Sequence, residues 1–298
     1  MRFSVQFLIG GTNVSTMNDI QLGYGTYGMR DVNIDNALSG IKDIGYDTIE
    51  ITAADGWPTS PDKLTKSDRG VLRNKINHLG FPPPAVLTLL GLCQEGTLRG
   101  NLLSKFRDTC ELARDLNWTD STSIVTATLG GGHPEWESGR DRIVEMLIEL
   151  AEIARESHVV LAVEPHVGGA LDTPEKANWL IKQTNHDTLR LNFDISHFHV
   201  QGMDIAHCAK LCLPYAAHIH IKDGYYDENE TLRFLLPGEG NLNLVEYLKV
   251  LASHKVMLPI TVEVSGMIWK QPDYDPWEAV LKSYTALDRA RKSTLNIT

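Results

Sequence analysis

Ala216-Ala217-His218-Ile219-His220-Ile221-Lys222-Asp223 is the stretch whose reading decides the fold. It is a short apolar run that closes on charge, as a buried strand does when it delivers polar groups to a site. On a strand alternate side chains share a face, so His218, His220 and Lys222 point one way and Ile219 and Ile221 the other. Basic groups converging on one face need a counter-charge. Three runs of the same shape supply it, each ending in a carboxylate: Val159-Val160-Leu161-Ala162-Val163-Glu164, Leu189-Arg190-Leu191-Asn192-Phe193-Asp194 and Pro259-Ile260-Thr261-Val262-Glu263. Four strand ends carrying Glu, Asp, His and Glu point to one oxygen-rich divalent metal site.

Working outward, short β-like runs alternate with longer amphipathic stretches in eight pairs. Strands are expected near 20–25, 47–52, 84–90, 122–129, 159–164, 189–194, 216–221 and 259–264. Helix starts are marked between them: Asn33-Ile34-Asp35 opens one, Trp136 to Ser157 covers a long one, Asp172-Thr173-Pro174-Glu175 is a cap with proline near the first turn, and Asn241 to Ser253 is another. Strict βα alternation implies a parallel sheet, and eight units imply an α/β fold closed as a single (β/α)8 TIM barrel. An open doubly wound sheet would more usually show a glycine fingerprint after its first strand. Gly23-Tyr24-Gly25-Thr26-Tyr27-Gly28 is a loose, misplaced version of one. No linker or low-complexity tract divides the chain, so one domain over 20–298 is expected. Residues 1–19 read as an extension ahead of the first strand, and Met17 is an alternative start.

The 298 residues are 42% hydrophobic and 22% charged, as in ordinary globular proteins, and carry a net charge of −10. That balance argues against a nucleic-acid or anionic-membrane partner, which usually leaves a basic footprint. No apolar run approaches the roughly 20 residues of a membrane span. The four cysteines, Cys93, Cys110, Cys208 and Cys212, do not make a disulfide framework in a chain this long. The N-terminus is too weak for a secretory signal, and a cytoplasmic location is expected.

In a barrel the C-terminal strand ends share one mouth, where chemistry is found. Glu164, Asp194, His220 and Glu263 fall at such ends on the fifth to eighth strands, which are neighbours around the ring. Three carboxylates and one imidazole suit Mn²⁺, Mg²⁺ or Co²⁺; a structural zinc would want more sulfur or nitrogen. His197, three residues after Asp194, and His166, two after Glu164, leave the same mouth and are candidates for orienting a ligand or holding a substrate oxygen. Lys222 either polarises a substrate oxygen or pairs with Asp223 or Glu239. Glu50 ends the second strand, and His133 and Trp136 follow the fourth, after Gly130-Gly131-Gly132. Trp57 and Trp269 fall in loops on the same side and offer aromatic planes for a sugar ring, or pack as lids.

Together Glu-Pro-His at 164–166, Phe-Asp-Ile-Ser-His at 193–197, His-Ile-His-Ile-Lys-Asp at 218–223, Pro-Gly-Glu-Gly at 237–240 and Val-Glu-Val at 262–264 resemble the xylose-isomerase-like barrels, the sugar isomerase/epimerase superfamily. Gly45-Tyr46-Asp47-Thr48-Ile49-Glu50-Ile51 is similar to that family's second strand, and the resemblance runs from about Leu22 to Ala290. Resemblance to the ketose 3-epimerase branch implies Glu164, Asp194, His220 and Glu263 as metal ligands, with Glu164 and Glu263 also moving protons and His197 near substrate. Tyr226 stands where epimerases of free ketohexoses place an arginine. The Glu-Pro-His and His-x-His-x-Lys-Asp runs are closer to the inosose-dehydratase-like branch, implying keto-inositols or oxidised glycosides.

The chemistry expected is proton abstraction beside the carbonyl of a keto-sugar, giving an enediolate. Return of the proton gives an epimerase or isomerase. Loss of a β-substituent gives a lyase or dehydratase, with His166, His197 or Lys222 as the leaving-group acid. Abasic-DNA cleavage, a non-catalytic sugar-binding role beside a partner subunit, and aldolase-like cleavage rank below. The expected partner is a small sugar, Mn²⁺ is the first choice of metal, and a homo-oligomer or a partner subunit is compatible with the sequence.

Overall fold

A computed structural model describes residues 20–130 and 135–295, so the expected 1–19 extension lies outside the described residues. Its strands are β1 (Leu22–Gly25), β2 (Thr48–Thr52), β3 (Ala85–Leu87), β4 (Ser123–Thr128), β5 (Val159–Glu164), β6 (Leu189–Asp194), β7 (Ala216–Ile221), β8 (Asp223–Tyr226), β9 (Leu232–Leu235) and β10 (Ile260–Val262). Its helices are α1 (Ile34–Ile44), α2 (Lys66–His78), α3 (Thr97–Asp115), α4 (Trp136–Glu156), α5 (Pro174–Thr184), α6 (Ile195–His199), α7 (Ile205–Cys212), α8 (Leu244–Ser253), α9 (Gly266–Trp269) and α10 (Pro276–Leu295).

Parallel strands are buried on both faces, which is why their sequences read as apolar runs. Eight of them close a barrel in the order β1-β10-β7-β6-β5-β4-β3-β2. Ile219 and Ile221 face the helical layer with no exposed surface, while His218 and His220 turn into the barrel. The lower barrel interior is small and apolar, where Val160, Ala162 and Ala217 meet Ile124. The helices are fastened by the caps the sequence advertised. Asn33 accepts from the amides of Asp35 and Asn36, and Thr173 from Lys176 ahead of Pro174, whereas the helix expected from Asn241 is capped by Asn243, which accepts from Glu246.

Two differences from the sequence expectation matter. The third and eighth strands are shorter than 84–90 and 259–264, because past β3 and β10 the ladder continues only as single bonds, Thr88 N to Thr126 O at 2.9 Å and Glu263 N to Ile221 O at 3.1 Å. The segment after Lys222, where no strand was expected, folds into the antiparallel hairpin β8–β9. Its turn is made by Asp227, whose Oδ1 accepts from the amides of Asn229 and Thr231. Among the described residues no helix is long and apolar enough to cross a membrane.

Candidate functional site

The ends of β5, β6, β7 and β10 bring Glu164, Asp194, Lys222 and Glu263 to one buried place. Lys222 Nζ donates to both Asp194 Oδ2 and Glu263 Oε2, not to Asp223 or Glu239, the two partners its sequence neighbourhood suggested. Asp194 also caps α6, its Oδ1 accepting from Ser196 N at 2.8 Å. Starting a helix at the strand end swings His197 back over the cluster, where its Nε2 lies 2.9 Å from Glu164 Oε1 and 3.8 Å from Asp194 Oδ2. Ligand-type atoms of Glu164, Asp194, His197 and Glu263 all fall within 4.8 Å of one another. His220 joins through Nδ1, 3.0 Å from Glu164 Oε2 and 3.8 Å from Glu263 Oε2. The three expected carboxylates therefore converge with His197, and His220, the fourth expected ligand, meets them at Glu164 and Glu263.

Burial by itself would raise the carboxyls of Glu164 and Asp194. The Lys222 ammonium outweighs it, with help from His197, and holds both below the usual carboxylate range. Burial would likewise discharge Lys222, but Asp194, Glu263 and Glu164 keep it firmly protonated. His220 is pushed down by burial and up, with the larger combined effect, by Glu50 and Glu164. Three carboxylates in one buried pocket demand positive charge, and hard oxygen donors with an imidazole at the edge are what Mn²⁺ or Mg²⁺ takes. The donor set fits a divalent cation.

His166 stacks on His197 with ring centroids 4.0 Å apart. Burial and the neighbouring His197 lower its pKa to about 4, so it is neutral at pH 7. Its Nδ1 donates to the Val167 carbonyl at 2.7 Å, which leaves Nε2 as the acceptor. His166 and Glu164 line a cavity of about 310 Å³ together with Thr128, Gly130, Gly169 and Leu171. Phe234, carried on the hairpin, sets its ring edge-on to His197 at 5.2 Å and lies 5.3 Å from the Lys222 ammonium. No sequence signal marked Phe234, because the hairpin itself was not expected. Asn192 was also missed, although it stands two residues before Asp194 on the same face. Its Nδ2 donates to Glu164 Oε2 at 2.6 Å and to His220 Nδ1 at 2.8 Å.

The remaining expected residues take the following places. Glu50 stands in the middle of β2 rather than at its end and has no exposed surface. Trp269 is half-buried, packed edge-on against Trp57 and Tyr27 at 5.6 and 5.5 Å. Trp136 opens α4 and packs on Trp179 of α5, so it is a helix contact. Tyr226 is exposed on β8. His133 lies outside the described residues. Asp223 fastens the Pro-Gly-Glu-Gly loop: it accepts from the amides of Gly224, Gly238 and Leu242 at 2.8, 3.0 and 3.0 Å. A Cβ on Gly240 would fall 2.2 Å from Asp223 Oδ1, so this close approach requires glycine.

A barrel with its polar cluster on the fifth to eighth strand ends defines a class, and the comparisons agree. Residues 38–287 match the family model described as xylose isomerase-like TIM barrel, and the chain belongs to that family. It is 23% identical to an inosose dehydratase of Geobacillus kaustophilus over 96% of this chain and 93% of that one. Its fold is similar to that of an IOLI protein with a bound zinc atom, with TM-score 0.74 and 20% identity over 93% of this chain and 99% of that one. It is also similar to a 3-keto-D-glucoside 4-epimerase from E. coli, with TM-score 0.71 and 17% identity over 92% and 99% of the two chains.

Proposed function

We propose that this chain is a divalent-metal-dependent isomerase or epimerase that removes a proton from the carbon beside the carbonyl of a cyclic keto-sugar. The convergence of Glu164, Asp194 and Glu263 with His197, and of His220 Nδ1 on Glu164 and Glu263, supports the reading. These four would hold the ion, with Mn²⁺ our first choice. When bound, such an ion polarises a carbonyl and stabilises the negative charge that develops next to it. Glu164 and Glu263 stand on strands that flank β6 and β7, so the two carboxylates reach a substrate from two sides. One takes the proton and the other returns one to the opposite face. His197, donating to Glu164 Oε1, keeps that carboxylate oriented, and neutral His166 offers a hydrogen bond to a substrate hydroxyl. A cavity of about 310 Å³ beside Glu164 suits a small ring. Four buried free thiols suit a reducing compartment, the cytoplasm in our reading.

A second reading, dehydration of a keto-inositol or elimination from a 3-keto-glycoside, follows from the same proton abstraction if a β-substituent leaves, with His197, whose Nε2 faces Glu164, as the group to pass a proton to the leaving oxygen. The inosose dehydratase named above is consistent with it. One experiment separates the two. Mn²⁺-loaded protein is incubated in D₂O with free ketoses, keto-inositols and 3-keto-glycosides, then chelated and read by NMR and mass spectrometry. Deuterium next to the carbonyl with a new epimer or isomer supports the first reading. Deuterium with loss of water or an aglycone supports the second. No uptake from any compound, with the metal site filled, would sink both.

A further inference from the structure

We infer that Glu50 is a positioning residue: from inside the barrel it fixes the His220 ring so that Nδ1, and not Nε2, is presented to the carboxylate cluster. This rests on the metal reading above and deepens it. Glu50 projects from β2 and His220 from β7, strands separated in the ring by β1 and β10. Their side chains nevertheless meet, Glu50 Oε2 to His220 Nε2 at 2.9 Å, both without exposed surface. Between them β1 contributes Gly25, where a Cβ would crowd Glu50 Oε2 at 3.2 Å. The carboxylate is held at its other oxygen too, since Thr126 Oγ1 donates to Glu50 Oε1 at 2.8 Å.

An ionised carboxylate only accepts, so the His220 nitrogen facing it carries a proton. The opposite nitrogen faces Glu164 Oε2 at 3.0 Å and receives the Asn192 amide at 2.8 Å. Nδ1 is therefore the nitrogen turned to the cluster, where a bound ion would take its lone pair. Carboxylates that take the far N–H of a ligating histidine commonly set its orientation and basicity, and their loss costs about 10–100-fold in metal affinity. Glu50, His218 and His220 also form a trio of ligand-type atoms within 4.8 Å. His218 Nε2 is 3.4 Å from Glu50 Oε1. Both Glu50 oxygens are already engaged, Oε2 by His220 and Oε1 by Thr126, so we assign the trio to support of the carboxylate cluster rather than to a second ion.

The test uses the full chain with ¹⁵N-labelled histidine, loaded with ¹¹³Cd²⁺. His220 is assigned as the ring missing from His220→Asn. The expected result is one cadmium per chain, cadmium–nitrogen coupling to His220 Nδ1, and the proton on Nε2. Glu50→Gln should bind Cd²⁺ about 10–100-fold more weakly and shift the Nε2–H resonance, a change that lost packing alone would not produce. Should Glu50→Gln fail to fold, the wild-type spectrum still decides. Coupling through Nε2, two cadmium ions per chain, or unchanged affinity and Nε2–H shift in Glu50→Gln would overturn the role of Glu50 alone. Absence of any bound cadmium would overturn the metal reading and this inference with it.

Discussion

His197 Nε2 lies 2.9 Å from Glu164 Oε1, with no part of His197 exposed. Glu164 is held at both oxygens, Oε1 by His197 and Oε2 by Asn192 Nδ2 at 2.6 Å, so the carboxylate keeps one orientation. Glu164→Gln and Glu263→Gln keep size and remove the base, so turnover should fall by at least ~100-fold in each. Near-normal turnover in metal-loaded Glu263→Gln would refute the two-carboxylate scheme. Asp194→Ala should instead lose activity and bound metal together, read by elemental analysis of the purified protein.

Lys222 neutralises Asp194 and Glu263 from a site with almost no exposure. Lys222→Met leaves those carboxylates unpaired, and breaking a buried pair costs on the order of 3–5 kcal/mol. The melting temperature in EDTA should drop, and Mn²⁺ should raise it more than in the parent chain. An equal Mn²⁺ shift in both proteins would show that ammonium and metal do not share these carboxylates.

The Asp223 loop makes a separate prediction away from the carboxylate cluster. Asp223→Ala removes the acceptor for three backbone amides, and an unsatisfied buried donor costs about 1–3 kcal/mol. Gly240→Ala should destabilise by about 1–3 kcal/mol through the clash with Asp223 Oδ1. Urea denaturation of both variants is the check, and stability equal to the parent would mean the loop is fastened by something else.

Acid should act in two stages on the metal-free protein. Burial above all lowers the pKa of His166 and His218 to about 4, against roughly 6.5 in an unfolded chain. The unfolded chain therefore takes protons that the folded one refuses. This contribution is complete above about pH 6.5 and is lost progressively towards pH 4. Glu50, Glu164 and Asp194 are depressed, so their contribution is present above roughly pH 4.3 and lost as pH falls through their folded values. His220 and Lys222, both raised, lose theirs only on the alkaline side. A melting temperature that does not fall between pH 7 and pH 5 in EDTA would contradict neutral, buried His166 and His218.

Cys93, Cys110, Cys208 and Cys212 are free and buried, and burial pushes the first three thiols up to about 12. A thiol-specific reagent should find none reactive in the native protein and four after denaturation. Rapid native labelling would reveal opening of the α3 or α7 packing that covers them.

How much was legible in advance follows from the range of each interaction. Strand alternation, the Asn33 and Thr173 caps and the proline of α5 are local, and they fixed eight βα units and hence the barrel. Glu164, Asp194 and Glu263 could be picked out because each directly follows an apolar run, and a closed parallel barrel sends all such ends to one rim. Lys222 was read against its neighbours Asp223 and Glu239, yet its partners are on β6 and just after β10. Charge pairing inside a barrel is set by which strands adjoin, not by distance along the chain.

The sequence by itself determined the fold, the rim to which the polar strand ends are sent and the carboxylates that converge there, because periodicity and the closure of eight units leave little choice. Only the tertiary structure decided how those groups are held. Glu50 reaches His220 past Gly25 over 170 positions of chain, His197 is turned back by the helix that Asp194 caps, and Phe234 arrives on a hairpin whose turn depends on Asp227. Each is an interior hydrogen bond or contact made possible by closing the barrel, and no local pattern encodes such closure distances.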